Sequence, residues 1–275
     1  QPIEHRFEDM HRRVSAAIAN TPAEEEEFCE ALNSWRLVPS GRIMAGCGLD
    51  SRATLGNCFV LGIDDSRESI FRVTLPDAIE ILSKGGGVGF NFSKLRPRGA
   101  YLKTSRGHAS GPVSFIELYN ACFAVIEQGG SRRAAAMGIL NVDHPDILEF
   151  VDRKAKRIGD LAHFNLSVGI VPEFVEALNR GLDTPWPLRW NGQHWRTVPV
   201  GELWSHIVHN AWKCGDPGIY NLAEVNRMNN TKYFEEIIAS NPSMPVGTLV
   251  CTRQGIFPIE ELEGQIRELE RKVMA

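Results

Sequence analysis

The chain has 275 residues, 43% of them apolar, with 30 basic against 34 acidic side chains and a net charge of −4. That length suits one large domain or two modest ones, and that charge argues against wrapping a nucleic acid. No apolar run is long enough to span a membrane.

In chain order, Thr21-Pro22-Ala23-Glu24 predicts a capped helix start, with the helix running to about Leu37. "LVPSGRIMAGCG" reads as a loop. "NCFVLGI" predicts a short buried strand, and a helix over 66–83 should stop at Gly85-Gly86-Gly87. "VGFNF" is the next strand, followed by the long polar loop "KLRPRGAYLKTSRGHASGP". A helix over 113–127, the basic glycine loop "EQGGSRRAAA" and the strand "MGILNV" come next. Asp143 should cap a helix through about Arg157, and His144 reads as part of its start. "FNLSVGI" is a strand, helix 172–180 should end at Gly181, and "PWPLRWNGQHWRTVPV" is a hairpin insert packed by Trp186, Trp190 and Trp195. Helix 201–213 should end at Gly215. Strands alternating with helices predict an α/β fold with a mainly parallel sheet. "GTLVCT-RQG-IFPIEEL" has the pattern of a hairpin, and Ile259, Leu262, Ile266, Leu269 and Val273 follow at helical spacing.

Taken singly, the chemical motifs stay open. "KGGGVGF" is either a phosphate-cradling loop or a tight helix-to-strand turn. "QGGSRRAAA" offers arginine forks to phosphates or base edges, or is a solvated loop. Cys58, at the start of an apolar strand, reads as a buried structural cysteine unless a second cysteine approaches it. His163 reads as a core or rim histidine. The six cysteines, Cys29, Cys47, Cys58, Cys122, Cys214 and Cys251, form no CxxC pair. That is unlike a zinc ribbon and suits the reducing cytosol. Gln1, with no apolar signal segment after it, points to a trimmed or partial cytoplasmic chain.

Together the pieces resemble one family. "VPSGRIMAG", "LGNCFVLGIDDS", "KGGGVGFNFSKLRPRGA", "SGPVSF", "QGGSRRAAAMGIL", "HPDILEFVDRKA" and "FNLSV" stand in the order and spacing of ribonucleotide reductase catalytic subunits, in wording most similar to the adenosylcobalamin-dependent class II type. The resemblance covers about residues 36–242. It implies half of a ten-stranded α/β barrel, and reduction of ribonucleotides to deoxyribonucleotides by a radical mechanism. Cys58 then matches the first of two reducing cysteines. Asn57 and the Ser40-Gly41-Arg42 loop match the substrate-phosphate region, and Asn241 matches the asparagine that hydrogen-bonds substrate hydroxyls. Asp65, Ser66 and Arg96 match the site for a dNTP or ATP effector, and Gln128 and Arg132 match the loop that relays effector identity. Adenosylcobalamin is the implied cofactor, and a thioredoxin-like dithiol the implied external reductant.

The family continues "SNP" with Cys-Gly-Glu, where this chain has Ser243 and then Met-Pro-Val. From there the sequence resembles the opening block of an intein, with Ser243 as the nucleophile that attacks the preceding carbonyl. The expected organisation is a helical region at 1–50, the first half of the barrel at 51–242 and an intein N-terminal fragment at 243–275. The partner is then a C-terminal intein fragment carrying the rest of the reductase, and the chain alone should be inactive. The alternatives are a class I reductase fragment and a nucleotide-binding regulatory module without catalysis.

Overall fold

The computed structural model describes residues 4–50, 53–103, 106–126, 134–157 and 160–241, and the backbone of 249–252 and 255–258. Helices α1 (Phe7–Ile18), α2 (Pro22–Asn33) and α3 (Gly41–Gly46) open the chain. They close on a small core of their own, Val14, Leu32 and Cys47 with Ile43 against them. Thr21 caps α2 by accepting from the Glu24 N–H at 3.2 Å, while the Glu24 carboxylate reaches back to Asn20 N at 2.7 Å. The helix ends at Asn33, earlier than its apolar pattern suggests. The stretch predicted as a loop contains α3, with Ser40 at its N-cap. Its Gly and Pro content masks a short helix that tertiary contact sustains.

Strands β1 (Cys58–Leu61), β2 (Gly87–Asn91), β3 (Tyr101–Leu102), β4 (Gly107–His108), β5 (Ala136–Asn141), β6 (Phe164–Ile170), β7 (Pro185–Trp190), β8 (Gln193–Pro199) and β9 (Gly218–Asn221) follow. Between them lie α4 (Leu75–Ser83), α5 (Pro112–Ala124), α6 (Ile147–Lys156), α7 (Pro172–Arg180) and α8 (Val200–Cys214), with α9 (Leu222–Arg227) after β9. One five-stranded sheet runs β1-β2-β5-β6-β9, with every pairing parallel. This is the mainly parallel α/β architecture expected from the alternation of elements.

Side chains alternate across each strand, so the register sorts the sheet into two faces. Val88, Phe90, Ala136, Leu140, Phe164, Leu166 and Val168 lie on one face and are all buried in the main core. Helices α4, α5, α6 and α8 supply the opposing side chains, among them Leu82, Tyr119, Phe123, Phe150 and Ile207. Phe90, Phe92, Tyr119, Phe123 and Phe164 form a mutually packed aromatic group, with the Phe123 and Phe164 rings stacked at 5.5 Å. The Tyr119 hydroxyl donates to the Ile70 carbonyl at 2.6 Å. That carbonyl belongs to a π-helical turn, Ser69–Thr74, that leads into α4.

Other expectations need correction. Strand β1 is not buried: Cys58 and Val60 are exposed, because β1 is an edge of the sheet. Asp146, not Asp143, stands at the N-cap of α6, and His144 is a buried core histidine rather than a helix-start residue. The polar loop after β2 carries the small β3–β4 hairpin. Arg98 pins that loop, forking onto the Glu149 carboxylate at 2.9 and 2.7 Å. In the insert, Trp186 packs edge-on against Phe174 and Trp190 donates to the Lys94 carbonyl, whereas Trp195 is 42% exposed. The tail forms the antiparallel hairpin β10 (Leu249–Thr252) and β11 (Gly255–Pro258), a sheet separate from the five-stranded one. The predicted helix over 259–273 lies outside the described residues.

Candidate active site

The other face of the sheet carries Cys58 and Val60 on β1, Gly87, Gly89 and Asn91 on β2, Met137, Ile139 and Asn141 on β5, Asn165, Ser167 and Gly169 on β6, and Tyr220 on β9. Its glycines, asparagines and Ser167 lie beside the apolar Val60, Met137 and Ile139, and residues 238–241 cross it. A Cβ at Gly87 would lie 2.7 Å from the Asn241 side-chain oxygen, and one at Gly89 would collide with the Ser240 carbonyl. The alternation in "GVGFN" therefore does two jobs. Val88 and Phe90 fill the core, while Gly89 admits the Ser240 backbone and Gly87 the Asn241 side chain. "KGGGVGF" acts as a close-approach strand preceded by a tight turn, the turn being made by Gly85 at φ +84°.

At the N-terminal ends of β1 and β2 the predicted substrate residues converge. Gly87 N–H donates to the Asn57 carbonyl at 2.8 Å, and Thr54 N–H to the Lys84 carbonyl at 3.0 Å, tying the approach to β1 onto the approach to β2. A Cβ at Gly85 would lie 2.7 Å from an Arg42 guanidinium nitrogen, so the Arg42 fork sits directly over this turn. Ser40 and Gly41 precede it at the start of α3. Cys58 is an exposed free thiol beside Gly87, and Asn241 lies against Gly87. The Asn241 Nδ2 is buried with no hydrogen-bond partner among the described residues. A buried donor left unpaired costs about 1–3 kcal/mol, which an acceptor arriving with a ligand would recover. The arrangement brings an exposed thiol, a guanidinium fork and a buried amide donor without a partner among the described residues to one face of the sheet.

The predicted effector residues lie at the opposite ends of the same strands. Asp65 accepts from Arg96 Nε at 2.7 Å and from Arg96 N–H at 3.2 Å, although 31 residues separate them. Ser66 Oγ accepts from Ser69 N–H at 3.0 Å. At about 3.3 Å per residue along β2, the two clusters are on the order of 15 Å apart. Gln128, Arg132 and Ser243 lie outside the described residues.

Beside the far end of β5, His144 is held in one tautomer. Its Nδ1 accepts from Asp146 N–H at 3.1 Å, so its Nε2 donates to the Leu95 carbonyl at 3.0 Å. Burial holds its pKa below the usual histidine value, and burial also raises the carboxyls of Asp143 and Asp146. His163 is half-buried, with its ring on the Ala134 carbonyl. Asn91, Asn226 and Tyr220, which turn out to hold the segment crossing this face, were not singled out from sequence. For Asn91 the signal was present, because it shares the period-2 face of Gly87 and Gly89.

Residues 56–246 match the family model described as "Ribonucleotide reductase, barrel domain". The chain belongs to that family. It is 36% identical over 260 residues to a vitamin B12-dependent ribonucleoside-diphosphate reductase of Thermoplasma acidophilum, covering 94% of this chain and 32% of the relative. It is 41% identical over 218 residues to a protein of the same description from Mycobacterium tuberculosis, covering 79% and 31%. A ribonucleoside-diphosphate reductase large subunit of Invertebrate iridescent virus 6 is 30% identical over 225 residues, covering 76% and 22%. The chain spans about a third of the length of the first two relatives. The Thermoplasma match covers more than residues 1–242 alone could supply, so it runs into the tail.

Proposed function

We propose that this chain is the N-terminal part of an adenosylcobalamin-dependent ribonucleotide reductase, forming half of its ten-stranded barrel. The observation that carries the reading is the convergence of Arg42, Asn57, Cys58 and Asn241 on one glycine-opened face, in a chain of the barrel-domain family. Two relatives described as vitamin B12-dependent, at 36% and 41% identity, favour the cobalamin type over the class I type.

Replacing a ribose 2′-hydroxyl by hydrogen consumes two thiols and releases water and a disulfide. Cys58 supplies one of those sulfurs. Asn241, with its unpartnered Nδ2, donates to a ribose hydroxyl, and the Ser40–Arg42 loop with Asn57 holds the substrate phosphates. A thioredoxin-like dithiol returns the disulfide to thiols. Asp65, Ser66 and Arg96, with Gln128 and Arg132, receive a dNTP or ATP effector, and the Asp65 carboxylate presets the Arg96 fork for its phosphates. Adenosylcobalamin supplies the starting radical when bound. The scattered free cysteines suit a cytoplasmic enzyme.

From Ser243 on, the proposed reading is the N-terminal fragment of an intein. Met-Pro-Val in place of the family's Gly-Glu, and a hairpin that forms its own sheet instead of extending the barrel, support it. The Thermoplasma match that enters the tail, and the family match that reaches residue 246, favour a second reading in which the tail is divergent reductase sequence. Mixing the Ser243→Cys chain with a chain that begins in C-terminal intein sequence and continues Cys-Gly-Glu separates the two. A ligated reductase that turns over with adenosylcobalamin and no second subunit supports both proposals. No ligation sinks the intein, and dependence on a second radical subunit sinks the cobalamin assignment.

A further inference from the structure

Residues 235–241 form no strand, yet side chains from three elements hold their backbone. Asn229 Nδ2 donates to the Glu235 carbonyl at 2.9 Å. The Asn226 amide grips both sides of one residue: its Oδ1 accepts from Ile237 N–H and its Nδ2 donates to the Ile237 carbonyl, each at 2.9 Å. Asn91 Nδ2, reaching up from β2, donates to the Ile238 carbonyl at 3.0 Å. The Tyr220 hydroxyl, from β9, donates to the Ala239 carbonyl at 3.4 Å. Ala239 is buried, Gly89 leaves room for the Ser240 backbone and Gly87 for the Asn241 side chain.

We infer that Asn226, Asn91 and Tyr220 are positioning residues, a side-chain clamp that fixes the register of residues 237–241 over β2 and so sets Asn241 beside Cys58. Ordinary strand addition would slip by two residues at little cost, because backbone groups repeat along a ladder. The clamp cannot slip that way. Its grips on the Ile237, Ile238 and Ala239 carbonyls come from α9, β2 and β9, each spaced by the fold rather than by the segment itself. Asn91 is itself held: its Nδ2 also meets Asn141 Oδ1 at 3.1 Å, and its Oδ1 accepts from Ser93 N–H at 3.0 Å. Asn226 is anchored on the Leu222 carbonyl at 3.0 Å. The existence of the clamp is independent of what the enzyme does; its role in placing Asn241 for chemistry rests on the reductase reading.

Amide hydrogen exchange on the full chain tests the clamp directly. In Asn226→Ala, the Ile237 amide should lose at least about tenfold of its protection, while the β5 and β6 amides keep theirs. Asn226→Asp adds a readout that a merely structural side chain would not give. Protonated, the carboxyl still donates to the Ile237 carbonyl. Ionised, it still accepts from the Ile237 N–H, but it has no donor for the Ile237 and Leu222 carbonyls and repels both, which opens the segment. Protection at Ile237, corrected for intrinsic exchange, should therefore fall several-fold as pH rises through about 4–7 in the Asp variant and stay flat in the native chain. Unchanged Ile237 protection in both variants would overturn the clamp. In the completed reductase, the same substitutions should lower kcat with little change in KM, because they move reacting groups and not the phosphate grip. Accelerated exchange with undiminished kcat would leave the clamp standing and overturn its positioning role.

Discussion

The two faces of the five-stranded sheet are made by the same strands and do opposite work. One face presents Val88, Phe90, Leu140, Leu166 and Val168 to a ring of helices and holds the fold together. The other presents Gly87, Gly89, Asn91, Asn141 and Ser167 beside Met137 and Ile139, and is the face proposed to carry the chemistry. Glycine in a strand interior costs stability, since it loses more conformational freedom than other residues and packs nothing. Here that cost gives residues 238–241 their track. Stability and function are divided residue by residue along each strand, and substitutions on the two faces should fail in different ways.

The largest effect belongs to the apolar face. Phe90→Ala removes a ring packed against Phe92, Tyr119, Phe123 and Phe164, and should lower unfolding free energy by about 3–5 kcal/mol, read as a fall in the chemical-denaturation midpoint. A loss under 1 kcal/mol would mean the aromatic group is not the keystone of the core. One residue earlier on the opposite face, Gly89→Ala should cost less, about 1–3 kcal/mol, yet displace the crossing segment, because its methyl would collide with the Ser240 carbonyl. Exchange protection should vanish at the Ile237 amide and persist in β5 and β6. Equal loss in both places would show that the two faces are not separable.

Much of this division was legible in the sequence. Helix α7, with Gly181 beyond it, and strands β5 and β6 fall where periodicity and Gly placed them, since strong patterns survive tertiary context. The convergence of Arg42, Cys58 and Asn241 was implied by resemblance alone, because no local pattern reports a contact across 200 residues of chain. Helix α3 was hidden by its own glycines, and the shift of the α6 cap from Asp143 to Asp146 by two acids competing within one turn. The exposure of Cys58 was hidden by apolar neighbours, because an edge strand and a buried one read alike. Asn226 and Tyr220 act through hydrogen bonds to a backbone beyond their own elements, which leave no periodic trace.

The smallest effect is one of pH, at the far end of β5. Burial depresses the His144 pKa, so the unfolded chain binds a proton that the folded chain resists. That contribution to stability is complete above the ordinary value of 6.5 and is lost as pH falls below it. Asp143 and Asp146, raised by burial, act in the opposite sense: they favour the fold at low pH and lose that contribution as pH rises through their folded values. The His144→Gln chain, which keeps a donor and an acceptor, isolates the histidine. Its melting temperature should fall less between pH 7 and about 5 than the native chain's, and an identical acid-side loss would remove His144 from the explanation.

If the glycine-opened face of this sheet is a reducing active site, Cys58 is its working thiol. Turnover of ribonucleotide to deoxyribonucleotide by the completed enzyme, with adenosylcobalamin and a dithiol reductant, measures it. The Cys58→Ser enzyme should fold with a stability within about 0.5 kcal/mol of the native one, as an exposed side chain should. It should also form no deoxyribonucleotide over repeated turnovers. Sustained product formation by Cys58→Ser at the native rate would contradict the account.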